Sequence, residues 1–462
     1  MYCRLFKNLV FPTLDRLNGT RVAERLRELE ETATWSRSEL ESYQSQKLAK
    51  ALDPIRDRSP FYREHWAKQN GPSSLHPLLD GLPLTDKAVM QTALGEFPLA
   101  GYDDRVIRVN TSGSTGVPAV FLRSVEQESW FWALRMRMWQ WAGWQPGTPY
   151  MAINLNRRVL WRKRLQDVLF RCTYLSYNAD SLASERVVEL MKRRRVTHVN
   201  AFGSTLHLLA EHMKEEGIEN PGVRTLTTTG DNLAPRQREV IEEVFEVPVC
   251  DYHGAGGEGV HLVSQCRQGS YHVHPENAVL EILTPSGPAA PGEIGRVVVT
   301  QLDNEAMPLV RYDLGDLATA GDDGDCECGR AHPTIARIEG RACDVVRAPN
   351  GAVLLPQFFF IGAFKMLENV ARYQVCQDDL ERVTVKLVAE PGCDRRAAET
   401  ALRDELARAT KESLRVDFEW VDEIPLTAAG KPRAVVSTLS SGQASGDASG
   451  ASSRTSHLAR SG

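Results

Sequence analysis

The sequence predicts an α/β protein with a large N-terminal domain and a small α+β C-terminal domain. Three observations support this prediction. At 462 residues the chain is longer than a single hydrophobic core usually serves. Strand-like and helical runs alternate from about residue 106 to residue 252, which is typical of a largely parallel sheet. A separate strand–helix–strand pattern begins after about residue 346.

The individual elements are predicted from residue spacing along the chain. Apolar residues recur at helical intervals through residues 20–52, so the first hundred residues are expected to be mainly helical. Thr85 and Asp86 are candidate N-caps of a later helix. The β-rich runs RVIRVN, VPAVFLRS, PYMAINL, THVNAF, RTLTTT and VPVCDY predict strands, followed by the probable antiparallel strands VLEILT and GRVVVTQL. Helices are expected near residues 125–142, 182–195, 204–216 and 234–245.

The predicted domains have different compositions. Residues 1–345 form the N-terminal domain, with residues 1–100 as a mainly helical lead-in. Residues 346–436 form the α+β domain, in which the strand-like runs VTVKLVAE and LRVDFEWV flank the helix AAETALRDELARAT. Residues 437–462 are rich in Ser, Gly and Ala and are expected to be disordered, because they offer almost no apolar surface to offset the entropy of ordering.

Composition excludes several classes of function. The net charge of −5 argues against a dedicated nucleic-acid binder, which needs a basic face for phosphate contacts. The chain contains no apolar run near the roughly 20 residues that span a bilayer. Pro12 and Asp15 interrupt the apolar N-terminus, which we interpret as mature protein. Nine cysteines, an odd number, suit a reducing cytoplasm better than a disulfide framework.

A loop rich in hydroxyls and glycines separates the first two predicted strands, and it consists of Thr111, Ser112, Gly113, Ser114, Thr115 and Gly116. Its amides and hydroxyls are suited to surrounding phosphate oxygens. It is not a P-loop, because no Gly-Lys-Ser/Thr follows. A polar hairpin turn is the alternative interpretation.

A second glycine-rich segment, Gly254–Gly259, formally matches the G-x-G-x-x-G pattern of dinucleotide-binding proteins. An NAD-linked oxidoreductase is therefore an alternative function. The following residues, VHLVSQCRQG, do not have the pattern of the long helix that such a site requires.

Near the C-terminus, the turn-rich segment 426–433 holds one lysine, Lys431. A lysine ammonium is a mobile point charge suited to phosphate or carboxylate oxygens. Taken alone, the segment is equally typical of a solvated loop.

The order of these motifs is more specific than any one of them. Along the chain come TSGSTG, TTTGDNL (227–233), a Tyr-Gly-Glu cluster (252–258), RYDLGD (311–316), GRACD (340–344) and TAAGKPR (427–433). Over roughly residues 80–436 the chain resembles the adenylate-forming ligases, and most closely their phenylacetate–CoA ligase-like branch, which includes relatives from capsular polysaccharide clusters. The resemblance implies ATP-dependent activation of a carboxylic acid to an acyl-adenylate. Transfer to the thiol of coenzyme A, to an amine or to a carrier-protein thiol would follow.

The resemblance also implies roles for motif residues. The 111–116 loop would hold the β- and γ-phosphates of ATP. Gly230 and Asp231 would frame the adenine, and Tyr252 would belong to the same nucleotide site. Glu258 would bind Mg²⁺, an ion that characteristically uses one or two carboxylates plus phosphates.

Three further roles follow from the same resemblance. Asp316 would accept the ribose hydroxyls, and Arg341 would reach phosphate or ribose. Lys431, on a mobile C-terminal domain, would bridge the attacking carboxylate and the α-phosphate.

The chain departs from the family pattern in two places. The usual Tyr-Gly-x-x-Glu is stretched between Tyr252 and Glu258, and the hinge position carries Cys343-Asp344 instead of paired acids. A degenerate adenylate-binding protein is thus a further alternative, against which the complete TAAGKPR context of Lys431 argues.

Cysteines and histidines from two predicted loops suggest a structural zinc site, as in some phenylacetate–CoA ligase-like proteins. The favoured ligands are Cys266, His272, Cys326 and Cys328, with His274 and His332 as substitutes. Reduced thiols and imidazoles in solvent-facing loops are the alternative.

One predicted helix is unusually aromatic, and it contains or adjoins Trp130, Phe131, Trp132, Trp139, Trp141 and Trp144. Such a helix is more often part of a core than a membrane anchor. It would also suit the wall of an acid pocket.

Overall fold

The structure is a computed structural model. It describes residues 2–66, 68, 71–110, 120–154, 161–176, 185–230, 233, 235–322, 324–341, 345–350, 352–354, 367, 369–425, 435–437 and 439. The chain packs as two units, and the first gives way to the second between Gly340 and Arg341. Most of the predicted Ser/Gly-rich tail lies outside the described residues.

The N-terminal hundred residues of the first unit are mainly helical, as predicted. The helices are α1 (Tyr2–Leu5), α2 (Phe11–Asn18), α3 (Val22–Thr32), α4 (Arg37–Arg58), α5 (Pro60–Trp66) and α6 (Lys87–Thr92), with a π-turn at Phe6–Val10 and a 3₁₀ turn at Pro77–Leu79. Ser36 and Glu39 form a capping box that starts α4. Asp86 caps α6 by accepting from the Val89 amide at 2.8 Å, which confirms it as the N-cap.

The hairpin of β1 (Val106–Asn110) and β2 (Val120–Ser124) forms a two-stranded antiparallel sheet of its own. It leads into the aromatic helix α7 (Val125–Trp141). Trp130 and Trp139 on this helix are buried in a core with α3 and the N-terminal turns, so the prediction of a core helix is confirmed. Trp132 remains 40% exposed.

A 12-stranded mixed sheet forms the centre of the first unit. The strands of its parallel half are β3 (Tyr150–Asn154), β4 (Cys172–Ser176), β5 (His198–Ala201), β6 (Thr225–Thr228) and β7 (Val249–Ala255). They lie in the order β4-β3-β5-β6-β7. The helices beside them are α8 (Trp161–Leu169), α9 (Glu185–Arg194), α10 (Gly203–Glu215) and α11 (Pro235–Phe245). Sequence reasoning missed α8 and β4.

The other half of this sheet is antiparallel, so the expectation of a largely parallel sheet applies to one half only. Its strands are β8 (Val260–Gln265), β9 (Tyr271–Val273), β10 (Ala278–Thr284), β11 (Gly287–Pro288), β12 (Ile294–Gln301), β13 (Tyr312–Ala320) and β14 (Thr334–Arg341). From β7 the order continues β8-β9-β14-β13-β12-β10-β11. The predicted antiparallel strands VLEILT and GRVVVTQL pair as β10 and β12.

The described part of the second unit contains a four-stranded sheet and one helix. After the short pair β15 (Val346–Arg347) and β16 (Val353–Leu354) come β17 (Val370–Asp379), β18 (Arg382–Ala389), α12 (Arg395–Thr410), β19 (Arg415–Trp420) and β20 (Val435–Ser437). The strand order is β19-β18-β17-β20. Val375, Val385 and Leu387 on the strands pack against Leu402 and Leu406 of the helix.

None of the helices in the described part of the chain is long and apolar enough to cross a membrane.

Candidate active site and metal centre

Several predicted site residues lie outside the described residues. These are the 111–116 loop, Asp231 and Lys431, together with the hinge pair Cys343-Asp344. Arg341 ends β14, but its side chain is also outside the description. The roles expected of these residues therefore stay predictions.

The Tyr252–Glu258 segment joins the two halves of the large sheet. Tyr252 is on β7, and the chain turns at residues 256–259 before returning as β8, antiparallel to β7. A dinucleotide fingerprint needs a helix after its glycines, with that helix's N-terminus at the pyrophosphate. Because a strand follows Gly254–Gly259 instead, the geometry disfavours the NAD-linked alternative.

Tyr252 lies where the carboxyl ends of the parallel strands meet. Its hydroxyl donates to Oδ1 of Asn200 on β5 at 3.1 Å, and Thr227 Oγ1 on β6 donates to the same atom at 2.9 Å. Gly230, just beyond β6, has φ +85°, a left-handed conformation that favours glycine. Ligands of open α/β sheets bind at this edge, so the placement of Gly230 and Tyr252 fits a nucleotide site.

The backbone around Glu258 is fixed by side chains from three different elements. Gln301 on β12 donates to the carbonyl oxygen of Glu258 at 2.6 Å, and Gln127 on α7 donates to that of Gly259 at 2.5 Å. Arg123 on β2 donates to the carbonyl of Gly257 at 3.1 Å and to that of Gly256. Sequence reasoning missed these three residues, because nothing in their local sequence marks them.

Arg123 packs tightly against the turn at residues 256–259, which contains Glu258. Its guanidinium also pairs with Glu128 at 2.8 Å. Burial lowers the pKa of Arg123, and Glu128 opposes that shift. Gly259 has φ +83°, and a Cβ there would come within 2.6 Å of Arg123 Nε. Glycine is therefore required at this position.

Asp316 approaches the same segment from β13. It is buried, and its Oδ2 lies 3.0 Å from Nε2 of His253. Asp316 and the residue next to Tyr252 are therefore brought together although 63 positions separate them. His253 is a site residue that sequence reasoning did not identify. Its signal was its position between Tyr252 and Gly254, as one of the two extra residues that stretch the Tyr-Gly-x-x-Glu pattern.

The four favoured zinc ligands converge on one point, with all their donor atoms within 4.8 Å of one another: Cys266, His272, Cys326 and Cys328. The Sγ atoms of Cys266 and Cys326 are 3.7 Å apart, and Cys328 Sγ lies 3.2 Å from His272 Nε2. Three thiols and one imidazole at this spacing fit a closed tetrahedral zinc site. His272 Nδ1 faces the carbonyl oxygen of His332 at 3.4 Å, which leaves Nε2 for a metal.

The two substitute histidines lie in a neighbouring buried network instead. Arg137 on α7 donates to both carboxylate oxygens of Glu276, at 2.5 and 3.0 Å. His332 Nε2 lies 3.2 Å from Glu276, and His274 lies between Arg137 and Ser264. Burial alone would raise the pKa of Glu276, but Arg137 and His332 hold it well below its usual range. We therefore assign this network to the support of the fold.

Comparison with known sequences supports the resemblance to the phenylacetate–CoA ligase-like proteins. A family model for the CapK C-terminal domain matches residues 349–438. The chain is 22% identical to Protein CapK of Staphylococcus aureus, covering 87% of this chain and 90% of that protein. It is 26% identical to phenylacetate-coenzyme A ligase of Thermus thermophilus, covering 82% of this chain and 88% of that enzyme.

The fold is shared with solved ligase structures. A 2-hydroxyisobutyryl-CoA ligase in the postadenylation state, in complex with R3-HIB-AMP, matches with a TM-score of 0.71. The match covers 88% of this chain and 91% of that one at 17% identity. At this identity the match establishes the fold and does not specify a substrate.

Proposed function

Because the chain belongs to the phenylacetate–CoA ligase-like branch of the adenylate-forming ligases, as an AMP-forming ligase, we propose that it activates a carboxylic acid with ATP and passes the acyl group to an acceptor. A carboxylate oxygen attacks the α-phosphorus, and the bond to the bridging oxygen breaks, releasing pyrophosphate. A thiol or amine then attacks the acyl carbon, AMP leaves, and the proton of the nucleophile passes to solvent.

One observation carries this proposal: the approach of Asp316 to the Tyr252–Glu258 segment through His253. In this proposal Asp316, the acceptor of the ribose hydroxyls, and Glu258, the ligand of a phosphate-bound metal, therefore belong to one site. Both reactants are anionic, so positioning and charge neutralisation dominate the chemistry. The support that Arg123 and Gln301 give to the segment suits that requirement, because a preorganised site need not rearrange during the reaction.

The residue roles implied by the motifs form part of the proposal. Glu258 holds Mg²⁺, which neutralises phosphate charge when it is bound. Asp316 accepts the ribose hydroxyls, and Gly230 lies in the segment that frames the adenine, with Asp231 beside it. The 111–116 loop holds phosphates, with Arg341 reaching phosphate or ribose.

Zinc in this proposal is structural. The set Cys266, His272, Cys326 and Cys328 offers four protein ligands, which leave no open position for substrate. A bound zinc ion would cross-link the consecutive strands β8 and β9 to the turn before β14, which is distant in sequence.

The proposal also covers the acyl acceptor and the cellular location. Coenzyme A is the acceptor we favour, since the chain resembles a CoA ligase over most of its length. An amine or a carrier-protein thiol is the alternative. The part from residue 346 to residue 436 acts as a mobile domain that carries Lys431, and the odd cysteine count favours a reducing cytoplasm.

A pyrophosphate-release screen over a library of carboxylic acids, with and without coenzyme A, tests the function. Acid-dependent pyrophosphate with acyl-CoA as product would support the full proposal. Pyrophosphate without acyl-CoA would move the acceptor to an amine or a carrier protein. Calorimetry with ATP–Mg²⁺ and with NAD completes the test. ATP binding without pyrophosphate from any acid would indicate a degenerate adenylate-binding protein, and NAD binding alone would overturn the ligase assignment.

A further inference from the structure

A buried imidazole beside the Tyr252–Glu258 segment has both nitrogens unused. His261 on β8 is 3% exposed, and neither ring nitrogen has a hydrogen-bond partner among the residues that the structure describes. Buried polar atoms are nearly always paired, and an unpaired one often marks a place where a water or a ligand binds. Burial lowers the pKa of His261 well below its usual value, so the ring is neutral and offers one N–H donor and one lone pair.

His261 is held in place by aromatic rings. The ring of Phe131 on α7 stacks on it at 4.2 Å, and the ring of Tyr252 meets it edge-on at 5.7 Å. A Cβ at Gly254 would lie 3.1 Å from its Nδ1, so the imidazole packs directly against β7. The position of the ring is therefore fixed without any polar contact, which suits a preorganised binding group.

An arginine without an acidic partner among the described residues lies over the same Phe131 ring. Arg135 lies one helical turn from Phe131, with its guanidinium 5.4 Å from the centre of that ring and 5.0 Å from the centre of the Trp132 ring. Within the described part of the chain it forms no ion pair, and its buried Nε has no partner. Arg135 is close enough to His261 to contribute to the lowered pKa of that histidine. The nearby acid, Glu128, is already engaged by Arg123 and by the Trp132 indole.

The location relates these two residues to the reacting carboxylate. His261 follows Glu258 by three residues, which limits their Cα atoms to about 11 Å apart. A substrate bound beside Glu258 would therefore also lie near His261. The buried Nε of Arg135 has no partner among the described residues, and the planar fork of its guanidinium matches a carboxylate.

We propose that His261 and Arg135 bind a second carboxylate of the substrate, so that the preferred acid is a dicarboxylic acid. This proposal rests on the ligase function, because only that function brings a carboxylic acid to the site that contains Glu258. Arg135 neutralises the distal carboxylate, while the His261 N–H orients it. Phe131 and Tyr252 supply the apolar surroundings that strengthen both contacts.

Matched probes isolate the second charge. Pyrophosphate release is measured with malonate, succinate, glutarate, adipate and terephthalate, and with the monomethyl ester of each. The ester keeps the carbon skeleton and removes one charge. We expect the best diacid to exceed its own ester by roughly 10- to 100-fold in kcat/KM, the usual weight of charge-assisted hydrogen bonds. Arg135→Gln should remove that preference by raising the KM of the diacid. It should change kcat/KM for the ester by no more than a few-fold.

His261→Phe separates binding from folding. Phenylalanine keeps the stack on Phe131 and removes two unpaired nitrogens, so the melting temperature should hold or rise while the diacid preference falls. If His261 had a merely structural role, the substitution would lower the melting temperature and leave the diacid preference unchanged. Arg236→Gln, on the exposed face of α11, is the matched control and should retain the preference.

A binding measurement keeps the two proposals distinguishable. Millimolar diacid should raise the melting temperature of the wild-type protein but not that of Arg135→Gln. Equal use of diacids and esters would overturn the subsite and leave the ligase function standing. If no acid releases pyrophosphate, the ligase function fails. Selective stabilisation of the wild-type protein by diacid would then still support the subsite, and its absence would overturn the subsite as well.

Discussion

The guanidinium of Arg123 donates to the carbonyl oxygen of Gly257 at 3.1 Å, immediately before Glu258. A side chain from the β1–β2 hairpin therefore fixes a turn more than 130 residues further along the chain. The same hairpin connects through the 111–116 loop, where phosphate binding is proposed. Arg123 thus links the two segments expected to meet at the phosphates of ATP.

We predict that Arg123→Lys raises the Mg²⁺ concentration needed for half-maximal pyrophosphate release. Lysine keeps the charge but lacks the forked guanidinium that contacts Glu128 and two carbonyl oxygens at once. The Glu258 backbone therefore loses its fixed position. A fall of about 10- to 100-fold in rate at low Mg²⁺ is expected, with partial recovery at high Mg²⁺. An unchanged Mg²⁺ titration in a folded Arg123→Lys protein would contradict the positioning role. Arg236→Gln provides the control.

A second prediction concerns Asp316 and His253. Asp316→Asn should raise the KM for ATP by about 10- to 100-fold, because a neutral amide accepts ribose hydroxyls less strongly than a carboxylate. His253→Gln keeps a donor for Asp316 and should cost less than His253→Ala. Steady-state kinetics at varied ATP make the comparison. If both His253 variants match the wild-type protein, the 3.0 Å contact does not orient Asp316.

Zinc content and thermal stability test the metal centre. We expect one zinc ion per chain and a lower melting temperature with a strong chelator, because structural zinc contributes roughly 10–16 kcal/mol in small peptide sites. Cys328→Ser should lose the metal, whereas Cys393→Ser, in the second unit, should keep it. Metal retained with full activity in Cys328→Ser would show that the ligands are others. A melting curve indifferent to the chelator would argue against a structural metal.

The sequence predicted the Cys/His cluster well because thiols and imidazoles are rare residue types with restricted chemistry. Cys266 and Cys326 are 60 positions apart, yet thiols and imidazoles in two loops indicated a common site. Which histidine joins the thiols was not predictable with the same security. That choice depends on Glu276 and Arg137, which engage His332 and His274 in a separate buried network.

The supports of the candidate active site were not predictable from local patterns. Arg123, Gln127 and Gln301 reach Glu258 and its neighbours through the register of distant strands and the orientation of α7. That information lies in tertiary packing. Helix α8 and strand β4 were missed for a different reason: they fall between PYMAINL and the helix near 182–195, where no apolar pattern had been recognised.

Arg311 illustrates how a motif residue can serve the fold. It is fully buried and pairs with Glu281 at 2.9 and 3.1 Å, while donating to the carbonyls of Pro72 and Leu82. We predict that Arg311→Leu lowers the free energy of unfolding by about 3–5 kcal/mol, because Glu281 would remain buried without a partner. Urea unfolding measures the loss. The double variant Arg311→Leu/Glu281→Leu should recover part of it, and equal losses in both proteins would refute the pairing argument.

The last prediction concerns Lys431 and the two half-reactions. If the C-terminal domain delivers its ammonium to the carboxylate and the α-phosphate, Lys431→Ala removes a charge-stabilising donor, which typically costs about 10²–10³ in rate. Acid-dependent pyrophosphate release should fall by that order, while ATP affinity is largely kept because most of the proposed nucleotide contacts belong to the N-terminal domain.

The same variant should still convert a synthetic acyl-adenylate to product, if the mobile domain withdraws Lys431 before the transfer step. Lys386→Ala, a partly exposed lysine on β18 of the second unit, is the matched control and should adenylate normally. Normal adenylation by Lys431→Ala would make Lys431 a surface lysine and remove the role proposed for the C-terminal domain. If Lys431→Ala lost both half-reactions with an intact fold, Lys431 would still be essential for activity. Such a loss would also contradict a mechanism with two domain orientations, because the transfer step would then depend on a side chain that should have left the site.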